Sequence, residues 1–382
     1  MQRVSVREIL ERKRRIAAKL ASIIGDEGVR RARGDWHARR QPIPCGMTIH
    51  TGVGCSYGCA YCYIYDMGFT SKPKPYPLSG EELAYALAVN PYVVPGNCGT
   101  LLAFGSVTEP FMRETVWRAI EYFKAARDHL GNPQQVSTKT ALKGLELEEF
   151  LKSADPRIDV LISITTLSMW RKLEPGASSP DERFEFMRHL SSRGIHVTLF
   201  LRPIVPGVTD RELEEIIRRA AEAGAKAVVP GTLRVTHRIL RRLEATGVVD
   251  VEEIRRRMPR EPRGRGDQVP IRGRDLKERA VKLALEYGLK VLPASCGANI
   301  VSHGQACAAC RMGPCGDQDL LPHIDEGDVE YLLEHAGLTP IKVEIEGEVV
   351  YAEARGSRGS ARLAEHLIIG LARRRPVIRV RG

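Results

Sequence analysis

Residues 46–250 predict an α/β fold, a partial (βα)6 TIM-like barrel, followed by a Cys-rich segment and a small α/β tail. Two patterns predict it. Short apolar runs alternate six times with longer amphipathic ones, and the connections between successive runs are long enough for the crossovers that parallel neighbours require.

The elements follow in order. Residues 5–24 predict a helix, since Ser5 and Glu8 form a capping-box pair and Ile9, Ile16, Leu20 and Ile23 recur at helical spacing. Strands are expected at 47–51, 101–104, 135–138, 160–165, 197–201 and 227–229, with helices at 80–89, 113–130, 145–154, 180–193, 210–223 and 237–245. Helices must cover a parallel sheet, so these belong outside it. Residues 255–275 are rich in Arg, Gly and Pro without hydrophobic period, which predicts a loop or mobile lid. A further helix at 276–287 and strand at 290–293 lead to a second group of cysteines. A helix at 329–336, a hairpin at 341–354 turning at Glu346-Gly347, and a helix at 361–372 predict the tail. The expected division is a helical extension at 1–45, the core at 46–250, the Arg-rich loop with the second Cys group at 251–324, and the tail domain at 325–382.

A chain with 43% hydrophobic and 27% charged residues is expected to be soluble and globular. No apolar run approaches the ~20 residues that span a bilayer, and residues 1–25 are amphipathic and lack the apolar stretch of a signal peptide. A cytoplasmic location without a membrane partner is therefore expected. Seven of the nine cysteines fall in two tight groups, which favours metal ligation over a disulfide framework. The net charge of +11 is unevenly placed: residues 255–274 hold eight Arg against Glu261 and Asp267, and 373–381 add five more. Such a field attracts phosphate-bearing partners, nucleic acid included, although thermophile surfaces share the composition.

The segment Cys55-Ser-Tyr-Gly-Cys59-Ala-Tyr-Cys62-Tyr63 sets three thiols at C-x3-C-x2-C directly after the first strand. Three thiolates can wrap one face of a four-iron cluster and leave one iron open. A zinc knuckle would need a fourth Cys or His at short range, yet no Cys follows until Cys98, and His50 precedes the motif. Cys296, Cys307, Cys310 and Cys315 are spaced C-x10-C-x2-C-x4-C among Gly297, Gly304, Gly313, Pro314 and Gly316. Four thiols among turn formers suit tetrahedral Zn or a complete second [4Fe-4S] cluster. Disulfides are the alternative, and His303 could replace Cys296.

The 55–63 segment is similar to the signature of the radical S-adenosylmethionine (SAM) superfamily. Val136-Ser-Thr-Lys139, Ser163-Ile-Thr-Thr166 and Leu173-Glu-Pro-Gly-Ala-Ser-Ser179 resemble its spore photoproduct lyase-like branch, over residues 46–240. The resemblance implies a [4Fe-4S] cluster on Cys55, Cys59 and Cys62, with SAM on the open iron. It implies reductive cleavage of SAM to a 5'-deoxyadenosyl radical for hydrogen abstraction, and an electron donor of flavodoxin or ferredoxin type. The implied cofactor contacts are Gly105 and Glu109 in Gly105-Ser-Val-Thr-Glu-Pro110, Lys139, Ser163 or Thr166, and Arg202, which would bind a cofactor or substrate carboxylate. The second Cys group resembles auxiliary-cluster segments of radical SAM enzymes, which favours iron-sulfur there. One departure stands out: spore photoproduct lyase carries a hydrogen-donating cysteine after its second strand, whereas residues 104–109 here contain no thiol. That argues against thymine-dimer repair, and no residue is singled out as catalytic.

The candidate positions all fall at C-terminal strand ends, where parallel sheets place their chemistry. Two functions are expected to compete: an enzyme acting on a nucleic acid or other phosphate-bearing substrate, and a nucleic-acid-binding protein with structural metal sites. The missing fourth ligand near Cys62 favours the first.

Overall fold

The computed structural model describes residues 5–43 and 46–381. Residues 1–4, 44–45 and 382, which belong to the expected extension and tail, lie outside the described residues. Helix α1 spans Val6–Gly34, with the Ser5 hydroxyl accepting from the Glu8 N–H at 3.4 Å. The expected helix stopped at 24 because Gly25 breaks the period. Gly25 leaves helical geometry at φ 64°, and the chain resumes its helix beyond it. There Arg31 reaches the nearly buried Glu82 at 2.6 Å, and Arg33 donates to the Tyr85 hydroxyl at 2.9 Å.

The sheet is built from β1 (Gly46–Ile49), β2 (Leu101–Phe104), β3 (Gln134–Thr138), β4 (Asp159–Ser163), β5 (His196–Phe200), β6 (Ala227–Val228) and β7 (Lys290–Val291). Its seven strands run parallel in sequence order, so the structure is a partial barrel with one strand beyond the six expected core units. The interleaved helices are α2 (Gly80–Val89), α3 (Val116–Ala125), α4 (Gly144–Ser153), α5 (Pro180–Ser192) and α6 (Leu213–Glu222). Helix and sheet meet over an aromatic core in which Phe123 lies 4.2 Å from Phe104 and 5.3 Å from Phe150 between ring centroids.

The 255–275 segment is not the loose loop its composition suggests. After α7 (His237–Ala245), helix α8 takes Val251–Arg257, and Val269–Pro270 pairs with Arg234–Val235 before α9 (Arg274–Glu286) begins. Val251, Ile254, Met258, Val269 and Ile271 are buried against Leu240 and Leu243, so sparse apolar residues without a regular period suffice to anchor it. Much of its positive charge is consumed locally. Arg255 pairs with Glu261 at 3.2 Å, Arg256 with Glu253 at 2.9 Å, Arg257 with Asp275 at 2.9 Å, Arg260 with Asp267 at 2.6 Å and Arg274 with Glu278 at 2.7 Å.

Helix α10 (Ser295–Ser302) and the two-strand ladder β8 (Ala306–Cys307) with β9 (Cys315–Gly316) carry the second cysteine group. The tail comprises α11 (Glu326–His335), β10 (Thr339–Glu346), β11 (Val349–Arg355), α12 (Arg358–Ala372) and β12 (Arg375–Arg381). The hairpin lies where expected, but β12 was read only as a basic run. It pairs in parallel with β11, exposing Arg375, Arg379 and Arg381 and half-burying Ile378 and Val380. The tail core of Val329, Leu333, Val350 and Leu367 is continuous with Val6 and Leu10 of α1 and with Val94. No helix among the described residues is long and apolar enough to cross a membrane.

Candidate active site

The three cysteines of the first motif sit on the loop that follows β1, and short contacts hold that loop. The Cys55 N–H donates to the Thr70 carbonyl at 3.0 Å, and the Cys55 carbonyl accepts from the Tyr65 hydroxyl at 2.9 Å. The Cys62 carbonyl accepts from the Arg242 guanidinium. Cys55 and Cys59 are buried and Cys62 is half-buried. All three line one cavity of about 630 Å³, a volume that admits a nucleoside-sized ligand. Burial pushes the Cys55 and Cys59 thiols above their usual pKa, so as thiols they hold their protons and would release them on binding metal.

The same cavity collects most of the expected cofactor positions: Gly105, Glu109, Lys139, Ser163 and Arg202 line it. Gly105 has φ +82°, and a Cβ there would stand 2.1 Å from the Ser137 carbonyl, so only glycine lets β2 pass this close to β3. The buried Glu109 carboxylate accepts from the Thr138 hydroxyl at 2.6 Å, the Lys139 N–H at 2.9 Å and the Thr140 hydroxyl at 3.2 Å. Burial raises its pKa against the pull of those donors. For Lys139, burial acts downward, but Cys59, Glu174, Glu109 and Cys62 around it outweigh that and hold the ammonium above its ordinary value.

Thr166 does not line the cavity. It is fully buried and its hydroxyl donates to Glu212 at 2.6 Å, part of a cap in which the Leu167 and Ser168 N–H groups also donate to that carboxylate. The Ser-Ser pair of the 173–179 motif likewise has local work: Ser179 caps α5 with Glu182, and the Ser178 hydroxyl accepts from the Ala141 N–H at 3.0 Å.

Sequence reasoning missed what holds the cysteine loop. Tyr61, between Cys59 and Cys62, donates its hydroxyl to Glu174, whose other oxygen lies 2.7 Å from Arg183. The Ala60 N–H donates to the Leu173 carbonyl at 2.9 Å and the Gly176 N–H to the Tyr57 carbonyl at 3.0 Å, so the 173–179 segment clasps the loop directly. Arg234 was also missed. It lines the cavity with Arg202, whose electrostatic neighbours are Arg234 and Tyr63 and include no carboxylate. Burial and then the Arg234 charge hold the Arg202 guanidinium below its usual pKa. An isolated Arg in a sequence gives no signal of this kind.

Outside this cavity, Cys307 and Cys315 face each other across the β8–β9 ladder. Cys296, Cys307 and Cys315 share one packed cluster with Leu101, Ile300 and Ile369. Burial pushes the Cys315 thiol up to about 11, with Cys296, Cys307 and Cys310 adding to the effect. His303 is turned elsewhere: its Nδ1 lies 2.8 Å from the Asn299 carbonyl, and its electrostatic neighbours are Asp155, Arg157 and Asp159. Among the described residues no group of three His, Cys, Asp or Glu side chains is already closed up at metal-ligand spacing. His50 stacks on Tyr76 at 6.0 Å within an aromatic group that includes Trp36 and His37.

With this geometry in place, three comparisons agree. Residues 49–220 match the family model described as the radical SAM superfamily. A radical SAM Nα-GlyT isomerase from Pseudomonas phage M6 is 24% identical over 192 residues, 48% of this chain and 38% of that protein. An uncharacterized protein of Methanocaldococcus jannaschii is 24% identical over 170 residues, 43% of this chain and 62% of that one. The alignments thus span less than two thirds of these curated relatives. In fold, the chain is similar to a variant of spore photoproduct lyase, with a TM-score of 0.50 at 16% identity, covering 64% of this chain and 75% of that one. Residues 49–220, which carry the cysteine loop and most of the parallel sheet, are thus the part of this chain that matches the radical SAM superfamily.

Proposed function

We propose that this chain is a radical SAM enzyme acting on a substrate with an anionic group. The observation that carries the reading is the meeting of Cys55, Cys59 and Cys62 with Lys139 on one cofactor-sized cavity at the C-terminal ends of the strands. Three thiols without a fourth ligand suit a [4Fe-4S] cluster with one open iron. Bound there with SAM, the cluster supplies one-electron cleavage of the sulfonium to a 5'-deoxyadenosyl radical for hydrogen abstraction.

The chain's own residues bind and orient. Gly105 brings the β2 backbone close, and Lys139 and Arg202 place positive charge where a carboxylate can sit. Glu109, already held by four donors from its own chain, keeps the Lys139 loop in place and offers its remaining acceptor capacity to a cofactor amine. Ser163 adds a polar edge at the end of β4. Arg234, beside Arg202, supports a phosphate or carboxylate on the substrate.

The Arg-rich 255–274 segment adds less to a nucleic-acid reading than its composition suggests, because five of its arginines are ion-paired within the chain. Among the described residues no thiol lines the cavity except the three of the cysteine loop, and Cys98 lies elsewhere, so dimer repair through a cysteine hydrogen donor is not supported. The reduction calls for a donor of flavodoxin or ferredoxin type. Cys296, Cys307, Cys310 and Cys315 are proposed to hold a second metal centre, [4Fe-4S] or zinc.

Anaerobically reconstituted protein with reductant should convert SAM to 5'-deoxyadenosine and methionine, and Cys59→Ala should abolish this. Undiminished cleavage by that variant would refute the assignment. A colourless, zinc-loaded protein that binds nucleic acid without cleaving SAM would support the binding-protein alternative instead.

A further inference from the structure

Arg373 is the residue that ends α12, and it is 1% exposed. Its backbone sits at φ 53°, a left-handed conformation uncommon for any residue other than glycine, so surrounding contacts hold it there. Those contacts are with the second cysteine group and the barrel: the Arg373 carbonyl accepts from the Ala308 N–H at 2.7 Å, and one guanidinium nitrogen donates to the Gly99 carbonyl. The other two nitrogens, Nε and one terminal NH2, are buried without a hydrogen-bond partner. Two donors of a buried guanidinium left without acceptors call for an anion beside them.

The neighbouring thiols can become one. Cys307 adjoins Ala308 and faces Cys315 across the ladder, while a Cβ on Gly297 would stand 3.5 Å from the Cys315 sulfur, which brings the start of α10 and Cys296 alongside. Gly313 turns the chain back from Cys310, its N–H donating to the Cys310 carbonyl at 3.2 Å. Four thiolates around either Zn²⁺ or an oxidised [4Fe-4S] core leave the assembly doubly negative.

We propose that Arg373 is the buried counter-cation of a metal centre held by Cys296, Cys307, Cys310 and Cys315, so that loading the centre fastens the tail domain to the barrel. The proposal rests on the second-centre reading given above. Arg373 is a positioning residue: it touches neither cofactor nor substrate in the first cavity, and it acts by stabilising the charged centre and by tying α12 to β8.

Metal analysis of the anaerobically purified full chain separates the two layers. About eight irons per chain, or about four irons with one zinc, supports the centre, whereas about four irons and no zinc overturns the centre and this proposal with it. Given a loaded wild type, Arg373→Gln should lose the second metal or release it to a chelator about tenfold faster, with Arg373→Lys closer to wild type. Iron at the first site should be unchanged. Wild-type stoichiometry and release rate in Arg373→Gln would overturn the counter-cation role alone. If that variant does not accumulate, wild type decides: chelator stripping should speed proteolytic cutting within residues 321–325, and an unchanged rate would overturn the fastening role.

Discussion

The Glu174 carboxylate lies 2.7 Å from the Arg183 guanidinium with neither side chain exposed, and the same carboxylate accepts the hydroxyl of Tyr61 from inside the cysteine motif. The pair therefore joins α5 to the loop that carries Cys59 and Cys62. Removing one partner of a buried pair leaves the other uncompensated and destabilises by about 3–5 kcal/mol. Glu174→Gln should lower the melting temperature and also the iron bound at the first site. Iron content at the wild-type level in a destabilised variant would show that the pair holds the fold but not the loop.

A second prediction concerns close backbone approach. A Cβ on Gly176 would stand 2.6 Å from Tyr57 Cα, so Gly176→Ala must push the clasping segment off the cysteine loop. Overpacking of this kind destabilises by about 1–3 kcal/mol. The expected outcome is a lower denaturation midpoint with reduced iron at the first site, whereas Gly264→Ala, with open space around its Cβ position, should change neither.

How much of this was legible in the sequence follows the same division. The six strands and their helices could be read because buried parallel strands and amphipathic helices each impose a period on the chain. Strand β12 could have been read from the alternation in Arg375-Pro-Val-Ile-Arg-Val-Arg381, but the density of arginine hid it. Cys55, Cys59 and Cys62 announce themselves by spacing. Glu174 with Arg183, and Arg202 with Arg234, do not, because each pair is assembled from different elements by the tertiary fold. Thr166 was expected at the end of a strand running to 165, but β4 ends at Ser163, and three residues further on the Thr166 hydroxyl donates to Glu212 instead of reaching the cavity.

His50 makes a pH prediction. Burial, then the charges of His37 and Arg40, hold its imidazole down at about 4 from an ordinary 6.5. The folded state thus binds fewer protons than the unfolded one between those values, and stability rises with pH across that window and is fully present above 6.5. Because the ring is only partly shielded, the contribution is about 2 kcal/mol. Urea unfolding of wild type and His50→Phe at pH 4 and pH 7 should show that wild type loses this much more on acidification. Parallel losses in both proteins would mean that His50 titrates normally.

The last prediction concerns Arg202, which lies over Gly231 so closely that a Cβ there would stand 2.6 Å from its Cδ. Glycine at 231 therefore sets where the guanidinium rests, beside Arg234 and with no carboxylate partner among the described residues. Two like charges on one cavity wall disfavour each other, and an anion between or against them offsets that repulsion. A charge-assisted hydrogen bond contributes about 1.5–3 kcal/mol, so Arg202→Gln should weaken binding of its anion by about tenfold to a hundredfold. If that anion is the SAM carboxylate, calorimetry with SAM on cluster-loaded protein reads the loss directly. If it belongs to the substrate, SAM affinity stays at wild type and the loss is seen only in substrate turnover. Gly231→Ala keeps the charge but moves it, and should reproduce a good part of whichever loss Arg202→Gln shows. Wild-type behaviour of Gly231→Ala in both assays would mean that the position of the Arg202 guanidinium over residue 231 has no bearing on ligand recognition.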